Sequence, residues 1–239
     1  MDLKKLAEDN LLNLRENPCP GIVVGIDESG KYIVQAYWIM GKNPKNRNYI
    51  FIDDDGAILK IAPADPTKTK DPNLLVYTAM DESGSKYAVS NGSQTSDALS
   101  LGGLQFALRD WKYKPDAPNF TPRITAVVDR KLVSGFVAQI SILKKSLLSD
   151  VCEGSVWVIE LLPGFGHCIT TCSGKGNPSP VFDGAPYKLP LSGNIEDIAS
   201  TFWNTLNKEN KISLAVKFIP IEAGGKSFIK VINKYEAVV

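Results

Sequence analysis

Gly21-Ile22-Val23-Val24-Gly25-Ile26, Asp27-Glu28-Ser29-Gly30 and then Lys31-Tyr32-Ile33-Val34-Gln35-Ala36-Tyr37-Trp38-Ile39-Met40 form the stretch on which the fold turns. An apolar run, four residues of turn chemistry and a second run rich in β-branched and aromatic side chains spell strand, tight turn, strand. The same signal returns downstream. Residues 73–80 (NLLVYTAM) lead into Asp81-Glu82-Ser83-Gly84 and then Lys86-Tyr87-Ala88-Val89-Ser90, so the letters DESG precede a Lys-Tyr strand twice. Two copies reuse good turn chemistry, whereas a solenoid needs at least three repeats at a fixed period. Residues 48–53, followed by Asp55-Gly56, read as another strand and reversal.

Outward from these hairpins, residues 3–16 place Leu3, Leu6, Leu11 and Leu14 among charges, an amphipathic helix that stops before Asn17-Pro18. Thr95-Ser96-Asp97 caps a helix carrying Ala98, Leu101, Leu104, Phe106 and Leu108 across Gly102-Gly103. Strands are expected at residues 123–128, 132–142, 156–162, 168–172, 212–219 and 228–232. A helix starting at Asn194 aligns Ile195, Ile198, Phe202 and Leu206 on one stripe. Hairpin-linked strands with few helices and no βαβ cadence predict an α+β layered fold with mainly antiparallel sheets, not a doubly wound parallel one.

Composition narrows the function. With 44% hydrophobic and 22% charged residues over 239 positions, the chain can bury a sizeable core, and no linker-like stretch divides it, so residues 1–239 read as one domain. A formal charge of +1 offers no broad footprint for nucleic acid or an anionic membrane, so any anion is held locally. The opening residues interleave leucines with charges, unlike a signal peptide, and no run reaches the roughly 20 apolar residues of a membrane span, which predicts a cytoplasmic protein. Homo-oligomerisation is left open. Cys19, Cys152, Cys168 and Cys172 are too few and scattered for a disulfide scaffold. Cys168 and Cys172 flank a three-residue gap beside the only histidine, His167, but lack a second ligand pair, so they read as buried, reduced thiols and no metal is expected. No Gly-x-Gly-x-x-Gly follows a strand in a βαβ unit, and no Gly-x-Ser-x-Gly elbow occurs, so no dinucleotide cofactor or serine triad is expected.

Four polar segments are candidates for chemistry. Residues 41–48 (GKNPKNRN) gather Lys42, Lys45, Asn46 and Arg47, donors suited to a phosphate or a polar base edge, though a solvated loop has the same letters. Ser90-Asn91-Gly92-Ser93-Gln94-Thr95-Ser96 joins a strand to a helix start, either an anion site or a plain capped turn. In residues 113–124 (YKPDAPNFTPRI) three prolines fix Asp116, Asn119 and Arg123 at low entropic cost, as a preorganised site or as a rigid connection. Residues 164–178 combine His167 with four glycines and form either a lid or ordinary loops.

At these same segments the chain resembles the IMP cyclohydrolase family of archaea and some bacteria. The resemblance rests on Asn17-Pro18-Cys19-Pro20-Gly21, Gln35-Ala36-Tyr37-Trp38-Ile39-Met40-Gly41, Asn46-Arg47-Asn48, Val76-Tyr77-Thr78-Ala79-Met80, Ser90-Asn91-Gly92-Ser93-Gln94-Thr95 and Asp116-Ala117-Pro118-Asn119-Phe120-Thr121-Pro122-Arg123-Ile124, in unbroken order. It implies a four-layer αββα fold like that of Ntn hydrolases, and dehydrative closure of 5-formamidoimidazole-4-carboxamide ribotide to IMP without a cofactor. It further implies that Arg47 and Arg123 meet the phosphate or an oxyanion, that Tyr77 orients or protonates the formyl oxygen, that Asn91 and the Gly92 backbone bind the substrate's polar edge, and that Asp116 or Asn119 stands near the carboxamide. Archaeal members carry an arginine where this chain has Ile22, which passes a phosphate contact to Lys42 or Lys45. Two rival functions stand beside this one: an Ntn amidohydrolase, which needs cleavage before Cys19 to expose a nucleophile with its own amine as base, and a purine-nucleotide-binding protein without turnover.

Overall fold

A computed structural model describes residues 2–42, 47–68, 76–100, 102–131, 137–176 and 178–237. The opening hairpin forms as β1 (Gly21–Ile26) and β2 (Tyr32–Met40), in register from Gly21 opposite Trp38 to Ile26 opposite Ile33. Gly30, at φ +69°, supplies the left-handed residue that the turn requires. The second DESG copy folds differently. Strand β5 (Tyr77–Ser83) runs through Asp81-Glu82-Ser83 and the turn shrinks to Gly84-Ser85 before β6 (Lys86–Ser90), with Ser83 opposite Lys86.

Around these hairpins lie α1 (Leu3–Asn13), β3 (Ile50–Asp54), β4 (Ile58–Ala62), α2 (Thr95–Ala98), α3 (Leu104–Ala107), β7 (Arg123–Asp129), β8 (Val137–Lys145), β9 (Cys152–Glu160), β10 (Phe165–Thr170), β11 (Tyr187–Pro190), α4 (Ile195–Thr205), β12 (Lys211–Pro220) and β13 (Phe228–Asn233). They build a six-stranded sheet, β11-β10-β1-β2-β12-β13, and a seven-stranded sheet, β3-β4-β5-β6-β7-β8-β9. Every ladder between these strands is antiparallel.

Three apolar cores define the layers. Ile22, Val24, Tyr37, Ile39, Val89, Ile124, Ala126 and Ile140 pack between the two sheets. Val23, Val34, Ala36, Trp38 and Leu214 face away from them, against Leu11 and Leu14 at the end of α1 and against Ile198 and Phe202 of α4. Ala88 and Val127 pack under Ala98, Leu104 and Leu108 of the α2–α3 region. Strand β2 is therefore buried on both faces, which is why its sequence is nearly continuously apolar rather than alternating. Helix α4 begins with a capping box: the Asn194 side chain accepts from the Glu196 and Asp197 N–H groups and the Asp197 carboxylate accepts from the Asn194 N–H. Such a cap contributes about 1 kcal/mol.

Several expectations need correction. The helix expected across Gly102-Gly103 is two short helices: α2 stops at Ala98, and the two glycines, at left-handed φ values of +97° and +81°, redirect the chain into α3 at Leu104. Leu104 N–H then bonds the Gln139 side chain at 2.8 Å, and a Cβ on Gly103 would stand 3.1 Å from that oxygen. Strands β9 and β10 start earlier than expected, and the short β4 and β11 carry too few residues to show a period. The first part of the strand expected at 132–142, and residues 73–75 of that expected at 73–80, lie outside the described residues. The thiols are not all reduced: Cys19 and Cys172 form a disulfide, while Cys152 and buried Cys168 are free. Sequence spacing could not reveal the bond, because pairing of Gly21 with Thr170 is what brings two cysteines 153 positions apart to 5.8 Å between Cα atoms. Among the described residues no helix is long and apolar enough to cross a membrane.

Candidate active site

The polar cluster forms where β2, β5, β6 and β7 meet. Tyr37 points from β2 into the inter-sheet core and is fully buried. Burial would strand its hydroxyl, which instead lies 2.9 Å from the Tyr77 hydroxyl and donates to Asn91 Oδ1 at 2.9 Å. Tyr77 opens β5 and donates to the same oxygen at 3.3 Å. Lys114 Nζ approaches it at 3.2 Å and sits 5.6 Å from the centre of the Tyr77 ring.

Asn91 follows β6 directly, is 2% exposed and is held by its own N–H to Ile124 C=O at 2.9 Å. Its carbonyl gathers three donors while its amide Nδ2, equally buried, has no hydrogen-bond partner among the described residues. A buried orphan donor costs about 1 to 3 kcal/mol, which makes it a group that awaits an acceptor.

Arg123, the first residue of β7, stands alongside. Its Nε donates to Lys112 C=O at 2.9 Å, its Nη1 to Gln94 Oε1 at 3.1 Å, and its guanidinium lies 4.7 Å over the Trp111 ring. Gln94 is itself fully buried and tied to Thr125 Oγ1 at 3.1 Å, so the guanidinium plane is fixed from three sides. Gly92 makes room for this: at φ +146°, an added Cβ would lie 2.3 Å from Gln94 Oε1 and 2.4 Å from Arg123 Nη1.

Burial raises the Tyr37 and Tyr77 phenols above the ordinary value, so both remain protonated donors near neutrality. Burial lowers Lys114 to about 8; the Arg123 charge pushes in the same direction and Asp116 opposes it. Among the described residues neither Lys114 nor Arg123 forms an ion pair within 4.0 Å. Two cations, two phenols and an orphan amide thus converge without a paired carboxylate, an arrangement suited to an anionic ligand with amide-like acceptors.

The other sequence candidates are placed as follows. Arg47 donates from Nε to Gly41 C=O at 3.0 Å, at the end of β2, and has no described contact with the Asn91 cluster. Lys45 and Asn46 lie outside the described residues. The Asp116 carboxylate accepts from Thr121 N–H at 2.7 Å and from the Thr121 hydroxyl, holding its loop, and acts on Lys114 and Arg123 through charge alone. Asn119 is exposed, its N–H donating to Asp116 C=O at 3.0 Å. His167 is buried on β10 opposite Val24, and burial lowers it to about 4, so it stays neutral.

Three members of the cluster, Tyr37, Lys114 and Gln94, had been given no role from sequence. A tyrosine in a strand buried on both faces was the available signal, since its hydroxyl needs a partner. Two open clefts, of about 630 and 590 Å³, share Glu16 and Lys175, and no residue lining either belongs to the cluster. The cluster differs from those clefts in that its donors are buried (Tyr37, Asn91, Gln94) or partly buried (Tyr77, Lys114, Arg123) and held in place, the setting in which donors stabilise developing charge most strongly.

Comparison with curated proteins finds no match. Residues 19–223 match the family described as IMP cyclohydrolase-like protein, a span that contains Tyr37, Tyr77, Asn91, Gly92, Gln94, Lys114 and Arg123. The chain therefore belongs to the IMP cyclohydrolase-like family.

Proposed function

We propose that this chain is an IMP cyclohydrolase, closing the formamido-imidazole carboxamide ribotide to IMP with loss of water. The observation that carries the proposal is the Asn91 side chain, whose carbonyl collects Tyr37, Tyr77 and Lys114 while its amide has no partner among the described residues, beside a fixed Arg123. In the reaction the carboxamide nitrogen attacks the formyl carbon of the same molecule, forming the ring C–N bond. Holding the two arms in contact supplies much of the acceleration.

Asn91 Nδ2 and the Gly92 backbone bind the substrate's polar edge. Tyr77, a protonated phenol, donates to the formyl oxygen as it gains charge, and Lys114 and Arg123 stabilise that charge or the phosphate. The formyl oxygen then departs as water, its two hydrogens coming from the attacking carboxamide nitrogen and the formamido nitrogen, and the ring C=N bond forms as the C–O bond breaks. Arg47, Lys45, Asn46, Asp116 and Asn119 complete the binding surface in this proposal, Asp116 by tuning Lys114. The layer order of helices outside two facing antiparallel sheets supports placing the fold with the Ntn-hydrolase-like group. Cys19, which an Ntn amidohydrolase would need as a free nucleophile, is instead bonded to Cys172. We retain the cytoplasm as the site of action; disulfides are rare in reducing compartments, so that bond weighs against it.

Purified protein incubated with the formylated ribotide, without added metal, should produce IMP, followed by absorbance. Binding of IMP in a thermal-shift assay with no ring closure above the uncatalysed rate would instead favour a nucleotide-binding protein without turnover.

A further inference from the structure

Of the four sheet edges, three are guarded. β3 and β13 meet, with Asn233 bonded through its side chain to both the N–H and the C=O of Phe51 at 2.9 Å. β11 is only four residues long, ends at Pro190 and lies against α1. The fourth edge, β9, is nine residues long, pairs with β8 in an unbroken register from Val137 opposite Glu160 to Lys145 opposite Cys152, and has no proline, lysine or bulge. Long, regular, unprotected edges recruit another strand.

The hydrogen-bond phase of this edge follows from the hairpin. Ser146 N–H donates to Val151 C=O at 2.9 Å, so Ser146 and Val151 form a hydrogen-bonded pair. Antiparallel ladders alternate, so Glu153, Ser155, Trp157 and Ile159 direct their backbone groups toward β8, while Cys152, Gly154, Val156, Val158 and Glu160 direct theirs outward. Exposed apolar side chains gather on the same hairpin: Leu147, Leu148, Val151, Val156 and Val158.

We propose that β9 pairs with β9 of a second copy of this chain about a two-fold axis at Val156, joining the seven-stranded sheets edge to edge. The sequence is self-complementary in that register. Val156 meets the partner's Val156, Val158 meets the partner's Gly154, which has no side chain to obstruct it, and Cys152 meets the partner's Glu160. All five outward-facing residues then exchange backbone hydrogen bonds. No like charges oppose each other: Glu153 stands opposite the partner's Ile159, and the partner's Glu160 shares a cross-strand row with Lys145, a favourable sign. A symmetric interface of this kind closes on itself as a dimer.

Sedimentation across micromolar concentrations should show a dimer for the native chain. Val156→Lys, which sets two ammonium groups facing each other at the axis, should give a monomer with an unchanged circular-dichroism spectrum. In a Cys152→Ser background, Val156→Cys should oxidise to a disulfide-linked dimer, because Cα atoms about 5.5 Å apart across a hydrogen-bonded pair suit the bond, whereas Val158→Cys should not. A native chain that stays monomeric at about 100 µM, well above the dissociation constants of specific dimers, would overturn the proposal. So would a dimer that survives Val156→Lys, or equal cross-linking at both positions.

Discussion

Gly92→Ala probes the centre of the site through a single methyl group. The new Cβ would lie 2.3 Å from Gln94 Oε1 and 2.4 Å from Arg123 Nη1, too close for either to remain. Gln94 cannot retreat easily, being fully buried with its amide on Thr125 Oγ1 and Ile124 C=O. Arg123 is the freer end, but moving it breaks the 3.1 Å bond to Gln94 and strips an acceptor inside the fold. The left-handed φ of +146° adds strain of about 1 to 3 kcal/mol for a residue with a Cβ. A buried acceptor left unpaired adds about 1 to 3 kcal/mol. Together these lower stability by about 2 to 6 kcal/mol, or Tm by about 4 to 24 °C for a chain of this length. Displacing a substrate-positioning guanidinium by about 1 Å should reduce kcat/KM roughly 100-fold. The assay is ring closure at 20 °C, below the variant's Tm, with differential scanning fluorimetry alongside. Gly84→Ala is the control: its φ is +63° but nothing lies within 4 Å of the added Cβ, so it should lose about 1 kcal/mol and no activity. Native kcat/KM in Gly92→Ala would remove Arg123 from the reaction.

Lys114, lowered to about 8, should leave a kinetic signature. In the proposed mechanism its protonated form stabilises negative charge, so kcat/KM should fall as pH rises through about 8, and Lys114→Arg, which stays charged, should shift that limb above pH 10; a flat profile from pH 7 to 9.5 would contradict the assignment. The Cys19–Cys172 bond closes a loop across 153 positions, for which chain entropy gives a stabilisation of about 5 kcal/mol as an upper figure, so Cys172→Ser should lower Tm by about 10 °C or more. Equal Tm values for the native chain with and without reductant would show that the bond contributes nothing in solution.

The sequence by itself determined the local grammar of this protein. Residues 21–40 specify a hairpin because apolar β-branched runs flank a turn with a glycine where a left-handed residue is needed. Asn194 and Asp197 specify the start of a helix because their side chains satisfy N–H groups that the helix leaves free. The polar segments around Asn91 and Arg123 were legible as candidates, but the same letters also spell a capped turn and a rigid connection, so composition alone did not single them out. Only the tertiary structure decided which candidates meet. Tyr37 lies 54 positions before Asn91, and Lys114 lies 23 after it, yet both reach one oxygen because β2 and β6 face each other across the core. The disulfide depends likewise on strand register between distant segments, and no local window of sequence contains that information.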